Sequence, residues 1–313
     1  MRPKDYQLAQ RIGEGLIAYD RNHRRLLGIR LKADRDAFVE QVLESIHRVA
    51  YPSVIARRDI SPERANPNNP LFDPVRAAIL KQRSGQIDEA FWLIFLFVHF
   101  GKHLRTGWRL TRDVYGCLGN GAPWTWARVG VAPRSFRSWL ADNRAALTGD
   151  GVARHFGNHR KYESLDAWSR NGTGEAVESY VQWVAPPRTH QQLIRAAQAE
   201  AGNDPRRLFH LLYASMNRVT RFGRTAKFDY LTMLGKLRLA PIEPGSTYME
   251  GATGPFTGAR LLFGGSTNAD LDRAELDSWL VELGGQLGVG MQVLEDSMCN
   301  WQKSPSKFIA FRG

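Results

Sequence analysis

Two features near the C-terminus carry residue types that could do chemistry. The run Gly251-Ala252-Thr253-Gly254-Pro255-Phe256-Thr257-Gly258 is a glycine-rich turn that leads into the apolar stretch Leu261-Leu262-Phe263. A turn of this kind, placed before a helix, presents backbone N–H groups that can grip a phosphate with help from the helix dipole. Glycine suits it because a side chain would block close approach and because φ can be positive. Farther on stands Asp277, followed at a distance by Leu287-Gly288. A carboxylate beside a gripped phosphate could stabilise developing positive charge or activate a water. The bland alternatives are an ordinary helix start for the glycines and an N-cap for Asp277. Three rival carboxylates exist: Glu295, Asp296, and Asp229, whose basic surroundings would keep it ionised.

The elements that must position these groups read as mainly α. Residues 4–50 look helical apart from a short strand expected over 26–31, and Phe38, Val42, Ile46 and Val49 share one helical face. Residues 61–74, rich in proline and asparagine, form a loop. Helices are expected over 75–83, 87–103, 133–147, 188–200, 205–222, 228–237, 257–263 and 289–303, with another carrying Asp277 at its start. Residues 117–134 and 148–175 read as irregular. The apolar run 90–100 is too short to span a bilayer and reads as a buried core helix. The expected organisation is an N-terminal helical region, 1–84, and a larger helical domain, 85–313, with the glycine-rich turn near 245–263.

Composition narrows the class. The chain has 313 residues, 43% of them hydrophobic, enough for a real core. Lys plus Arg is 43 against 31 Asp plus Glu, a formal net charge of +12, which favours a polyanionic partner such as nucleic acid. Its two cysteines, Cys117 and Cys299, cannot form a disulfide framework or a four-cysteine iron–sulfur site. No apolar signal core opens the chain, so a cytoplasmic protein with no membrane partner, acting as a monomer, is expected.

Charge is unevenly placed. Residues 206–238 hold eight Lys or Arg and one acid, Asp229, whereas 270–296 hold seven acids and one Arg. Arg218, Arg221, Arg224 and Lys227 recur every third residue and are candidates for phosphate contact, as are His159, Arg160 and Lys161 on a glycine-bounded loop. The alternative for the basic set is pairing with the acidic segment. Trp124, Trp126 and Tyr162 could stack on an extruded base, although a tryptophan is more often core.

The order of turn, apolar helix, Asp277 and Leu287-Gly288 resembles the helix-hairpin-helix DNA glycosylases. Their hairpin reads Leu-Pro-Gly-Val-Gly, two variable residues, then Thr-Ala. Here Gly254 and Thr257 fit that pattern, while Gly251 and Ala252 stand where Pro and the first Gly are usual. The resemblance implies Asp277 as the carboxylate that stabilises the sugar cation, and backbone groups around Gly251, Gly254 and Thr257 as the phosphate clamp. Lyase-type members carry a nucleophilic lysine where this chain has Phe256, so a monofunctional enzyme is implied, leaving an abasic site without cutting the strand. No metal or organic cofactor is implied.

Four further blocks narrow the resemblance: residues 91–103, 156–163, 217–230 and 294–303. Together they resemble the alpha-glutamyl/putrescinyl thymine pyrophosphorylase family, associated with hypermodified bases in phage DNA and linked to the glycosylase fold. What it implies is excision of a bulky modified base from double-stranded DNA, such as glucosylated hydroxymethylcytosine, in anti-phage defence. The alternatives are an enzyme of thymine hypermodification and a non-enzymatic DNA-binding protein.

Overall fold

The computed structural model describes residues 3–310. The mainly α expectation holds: fifteen α-helices are present among the described residues, with no strand and a single isolated bridge, His103 to Gly107. In chain order they are α1 (Tyr6–Asn22), α2 (Lys32–Ile55), α3 (Pro74–Arg83), α4 (Ile87–Phe100), α5 (Arg109–Tyr115), α6 (Trp126–Val131), α7 (Pro133–Asp142) and α8 (Arg144–Gly149). They continue with α9 (Thr173–Val184), α10 (His190–Ala201), α11 (Pro205–Ser215), α12 (Arg224–Lys236), α13 (Gly254–Gly264), α14 (Arg273–Leu287) and α15 (Met291–Trp301). None of the described helices is long and apolar enough to cross a membrane.

Several helices start where short polar residues cap them. Asp73 and Asp204 each accept two backbone N–H bonds, ahead of a proline at the first helical position of α3 and α11. Thr189 and Gln192 form a capping box on α10. Residues 26–31 hold a 3-10 turn, Leu27–Ile29, and not the expected strand. The cause is contact: a Cβ on Gly28 would stand 2.2 Å from the Leu261 carbonyl oxygen, so the chain turns against α13 there.

The chain divides into unit 1, residues 1–51 with 244–313, and unit 2, residues 52–243. This differs from the division after residue 84, because Ser84-Gly85 is the tight turn joining α3 to α4, which pack on each other inside unit 2. Unit 1 buries one face of each helix. Ile12, Leu16 and Tyr19 of α1 join Leu276, Leu280 and Leu283 of α14 and Leu294, Met298 and Trp301 of α15. Helices α13 and α15 touch at backbone distance, since a Cβ on Gly258 would meet the Met298 carbonyl oxygen at 2.2 Å.

Unit 2 is organised around α4, buried from Glu89 to Leu96. Its aromatic core encloses a polar chain. Asp88 Oδ1 lies 2.6 Å from His190 Nδ1, His190 Nε2 lies 2.7 Å from the Tyr180 hydroxyl, and that hydroxyl lies 2.8 Å from the Tyr230 hydroxyl. Burial pushes His190 down and Asp88 opposes this only in part. With the ring neutral, Nδ1–H donates to Asp88, Nε2 accepts from Tyr180, and Tyr180 accepts from Tyr230, so each member is satisfied. Residues 117–134 are not wholly irregular, because the buried Glu89 carboxylate accepts the Trp126 N–H at 2.6 Å and starts α6.

A second core imidazole, His99, is fully enclosed. Burial pushes it down to about 3, and Arg160 and Arg221 add to the shift. Its Nε2 lies 3.0 Å from Thr173 Oγ1, whose own proton goes to the Ser164 carbonyl at 2.8 Å. His99 is therefore the donor, protonated on Nε2.

Two predictions follow from this packing. Gly258→Ala should lower unfolding free energy by about 1–3 kcal/mol in urea titration, through overpacking against α15; an unchanged midpoint would disprove the backbone contact. Because the folded-state pKa of His99 lies below the unfolded value of about 6.5, the unfolded chain takes up the proton first as pH falls. The stability this gives is complete above about pH 6.5 and drains toward pH 3 at about 1.4 kcal/mol per pH unit. Thermal midpoints of His99→Gln should fall less steeply across that window than those of the parent.

Candidate active site

The two features singled out in unit 1 are braced. Thr253 precedes α13 without a side-chain cap, and Gly251 holds φ 73° in the turn before it. Arg273 Nη1 donates to the Met249 carbonyl at 2.9 Å and the Ala252 carbonyl at 2.6 Å, fixing the turn. Gly254 meets a second demand, since a Cβ there would stand 2.8 Å from Cys299 Sγ. Thr257 Oγ1 donates to the Thr253 carbonyl at 3.0 Å. Phe256, in the lysine position of the resembled motif, is buried with the guanidinium groups of Arg273 at 3.8 Å and Arg260 at 4.2 Å from its ring centroid. The segment before this turn, 237–253, contains no helix, because α12 ends at Lys236.

Asp277 is not at a helix start. Helix α14 begins at Arg273 and its cap is Asp272, which accepts from the Ala274 and Glu275 N–H groups. Asp277 lies one turn in, where Oδ1 accepts both the backbone N–H of Thr247, at 2.8 Å, and the Thr247 hydroxyl. It latches the segment leading into the glycine-rich turn. Two other acids of this segment also have partners inside unit 1. Glu282 accepts from the Tyr19 hydroxyl at 2.7 Å, and Asp296 takes Ser45 at 2.7 Å and Arg48 at 3.3 Å.

In unit 2 the structure gathers three of the sequence blocks. The loop bearing Phe156 to Glu163 docks on the end of α4: the Gly157 N–H donates to the Phe100 carbonyl at 2.8 Å, and a Cβ on Gly157 would stand 2.8 Å from the Gly101 carbonyl carbon. Arg160 is buried there, with Nε donating to the Val98 carbonyl at 2.8 Å and Nη2 lying 3.7 Å from Asp229 Oδ2. Glu163 holds Arg221 through Nε at 2.7 Å and Nη2 at 3.2 Å, in a turn where Arg221 takes φ 64°. That turn runs from α11 into α12, and Gly223 is the residue before α12.

Asp229 is the distinctive group of this cluster. Burial pushes its carboxyl above the ordinary value, against the pull of Arg160, Arg224, Lys236 and His159. Its side chain is nevertheless 44% exposed. The carboxylate is therefore half-buried, crowded by protein atoms on one side and open to water on the other. An accessible carboxyl raised above its ordinary value, with Arg160, Arg224 and Lys236 around it, can exchange a proton or face a developing positive charge.

The other basic candidates differ in their placement. His159, Lys161 and Arg218 are exposed, and Arg224 is half-buried with its guanidinium 4.8 Å from the Phe228 ring centroid. Lys227 is buried, bonded to Asn217 Oδ1 at 2.5 Å and 4.1 Å from the Tyr213 ring centroid. Arg218 and Arg221 precede α12, so the four do not share one helical face. Trp124 and Trp126 are core side chains, the first under the Arg128 guanidinium at 3.6 Å. Tyr162 is 82% exposed. Sequence reasoning missed Glu163 as the partner of Arg221, and the pairing of Gly101 with Gly157 that seats the loop. Among the described residues no group of three or more His, Cys, Asp or Glu side chains is placed to share a metal ion.

The Asp277 latch has a measurable weight. Asp277→Ala should cost about 1–3 kcal/mol of unfolding free energy by losing two acceptor bonds, while Asp277→Asn, which keeps an acceptor oxygen, should lose less. Equal urea midpoints for the parent and the alanine variant would rule the latch out.

A family model described as alpha-glutamyl/putrescinyl thymine pyrophosphorylase clade 3 matches residues 33–313. No curated protein and no solved structure matches the chain. The chain belongs to that family.

Proposed function

We propose that this member of the alpha-glutamyl/putrescinyl thymine pyrophosphorylase family is a DNA glycosylase that removes a bulky modified base from duplex DNA, with Asp229 as its working carboxylate. The observation that carries this is the accessible Asp229 carboxyl, raised by burial and ringed by Arg160, Arg224, Lys236 and His159. Cations of this kind suit the phosphates flanking a target nucleotide. A carboxylate in their midst repels a pyrophosphate but attracts a sugar whose C1′ becomes positive as its base departs.

The step balances simply. The C1′–N bond breaks with its electron pair going to the base, which takes up a proton from solvent as it leaves, and that proton is returned when Asp229 gives up the one it receives from water. Water adds its oxygen to C1′, and Asp229 stabilises the cation and accepts the proton that the water gives up. The product is a free base and an abasic site in an uncut strand. Such an activity, directed at a modification carried by invading phage DNA, would spare host DNA that lacks it.

A second reading rests on the family description, which names a pyrophosphorylase acting on modified thymine. An enzyme of hypermodification would leave the base attached and alter its substituent, with pyrophosphate taken up or released. Mass spectrometry of modified phage DNA after incubation separates the two. A released base and an abasic strand support excision, whereas a retained base of altered mass supports hypermodification.

Variants test the residue assignment. Asp229→Asn should slow base release by on the order of 100-fold or more while DNA binding persists in gel-shift titration. Asp277→Asn, measured on folded protein, should stay within about threefold of the parent, its role being structural. The reverse pattern would move the chemistry to Asp277. Since the base form of Asp229 is required and its carboxyl is raised, single-turnover rates should fall on the acid side at a pH above the ordinary carboxylate range.

A further inference from the structure

We infer that Leu104 is a wedge that enters the base stack of duplex DNA and holds open the space left by an extruded base, which rests on the excision proposed above. Leu104 is 79% exposed at the tip of a tight turn. Single exposed apolar side chains are ordinary on protein surfaces, so exposure alone carries nothing. The turn beneath Leu104 is what sets it apart.

That turn is stapled. His103 and Gly107 exchange backbone bonds, N to O at 3.1 Å and 2.9 Å. Inside it, His103 Nδ1 lies 3.3 Å from the Arg105 nitrogen, 3.2 Å from the Thr106 nitrogen and 3.1 Å from Thr106 Oγ1, so these groups of the turn share its one lone pair. Gly107 takes φ 59° to close the loop. Behind it, the Trp108 ring packs on Phe97 of α4 at a centroid distance of 5.4 Å, and Arg109 Nη1 donates to the Ala153 carbonyl at 3.1 Å. A tip held by so many bonds has already lost the freedom that a wedge must surrender on binding.

Its chemistry and place agree. Lys102 and Arg105, both exposed, flank Leu104 and can meet phosphates on either side of an entry point. Gly101, at the root of the turn, touches the site itself: a Cβ there would stand 3.2 Å from Gly157 Cα and 3.3 Å from Arg160 Cγ. Three Cα steps separate Gly101 from Leu104, so their Cα atoms lie at most about 11 Å apart. Apolar side chains carried on basic surfaces insert between base steps, and extrusion of a paired base has an unstacking cost that an inserted side chain offsets. The partner that fits is double-stranded DNA with its target base paired.

The test uses the full chain, with Leu104→Ala and the conservative Leu104→Met. The substrates are duplexes carrying glucosylated hydroxymethylcytosine, either paired with guanine or lying in an unpaired bubble, with 2-aminopurine beside the target as a stacking reporter. The alanine variant should release the paired base on the order of tenfold more slowly, release the unpaired base within about twofold of the parent, and fail to brighten 2-aminopurine in the paired duplex. Methionine should restore the paired rate. Equal loss on both substrates would mark a structural residue, and parental rate and brightening on the paired duplex would also overturn the wedge. If the parent frees no base from any DNA, excision itself fails. The 2-aminopurine signal of parent against Leu104→Ala on the same duplexes then decides the wedge by itself, and a parent that neither frees a base nor brightens the reporter overturns both.

Discussion

The Asp229 cluster in unit 2 depends on one buried guanidinium. Arg160 satisfies the Val98 carbonyl at the end of α4 with one nitrogen and faces the Asp229 carboxylate with another. A buried cation must find acceptors or counter-charge, because its desolvation is otherwise prohibitive. Arg160 finds a carbonyl left over by the helix end and a carboxylate on α12, and in doing so it fixes the distance between those helices. The loop that carries it can lie close enough only because Gly157 and Gly101 meet without side chains. Arg221 and Glu163 then tie the far end of the same loop to the turn before α12.

Two kinds of polar interior coexist in unit 2. The chain from Asp88 through His190 and Tyr180 to Tyr230 is closed, with each group answered by the next, so it adds order to an aromatic core at little cost. Around Asp229 the balance is left unequal: burial disfavours its charge, Arg160, Arg224, Lys236 and His159 favour it, and the carboxyl ends above its ordinary value. Unequal compensation of this kind is what proton-transfer chemistry needs and what a purely structural ion pair avoids. In unit 1 the acids mostly take structural bonds: Asp272 caps, Asp277 latches, and Glu282 and Asp296 tie helices together.

Much of the helical order could be read locally, because caps such as Asp73-Pro74, Thr189 with Gln192 and Asp204-Pro205 announce their helices within four residues. Helix α6 could not, since the group that starts it is Glu89, far away in sequence. Asp277 was open to misplacement because Asp270, Asp272 and Asp277 can each begin a helix by type, and only the bonds to Ala274 and Glu275 select Asp272. The basic blocks announced themselves as a set, but not which members are buried. The enclosure of Arg160 and Lys227, and the exposure of His159 and Lys161 beside them, come from contacts between distant segments. Trp124 and Trp126 went to the core for the same reason, the first against Phe136 and Trp139 of α7 and the second between Trp92 of α4 and Tyr180 of α9.

Phe256 has a consequence for how this scaffold could be re-engineered. Its ring is the surface on which Arg273 and Arg260 rest, and Arg273 in turn holds the turn from Met249 to Ala252. A lysine there would place an amine between two guanidinium groups in a buried setting, where burial and like charges both push it toward its neutral form. What the substitution removes is the ring on which Arg273 rests, and with it the support of the brace on the turn. Redesign of this position therefore starts with the arginine pair, before the side chain that would replace the ring.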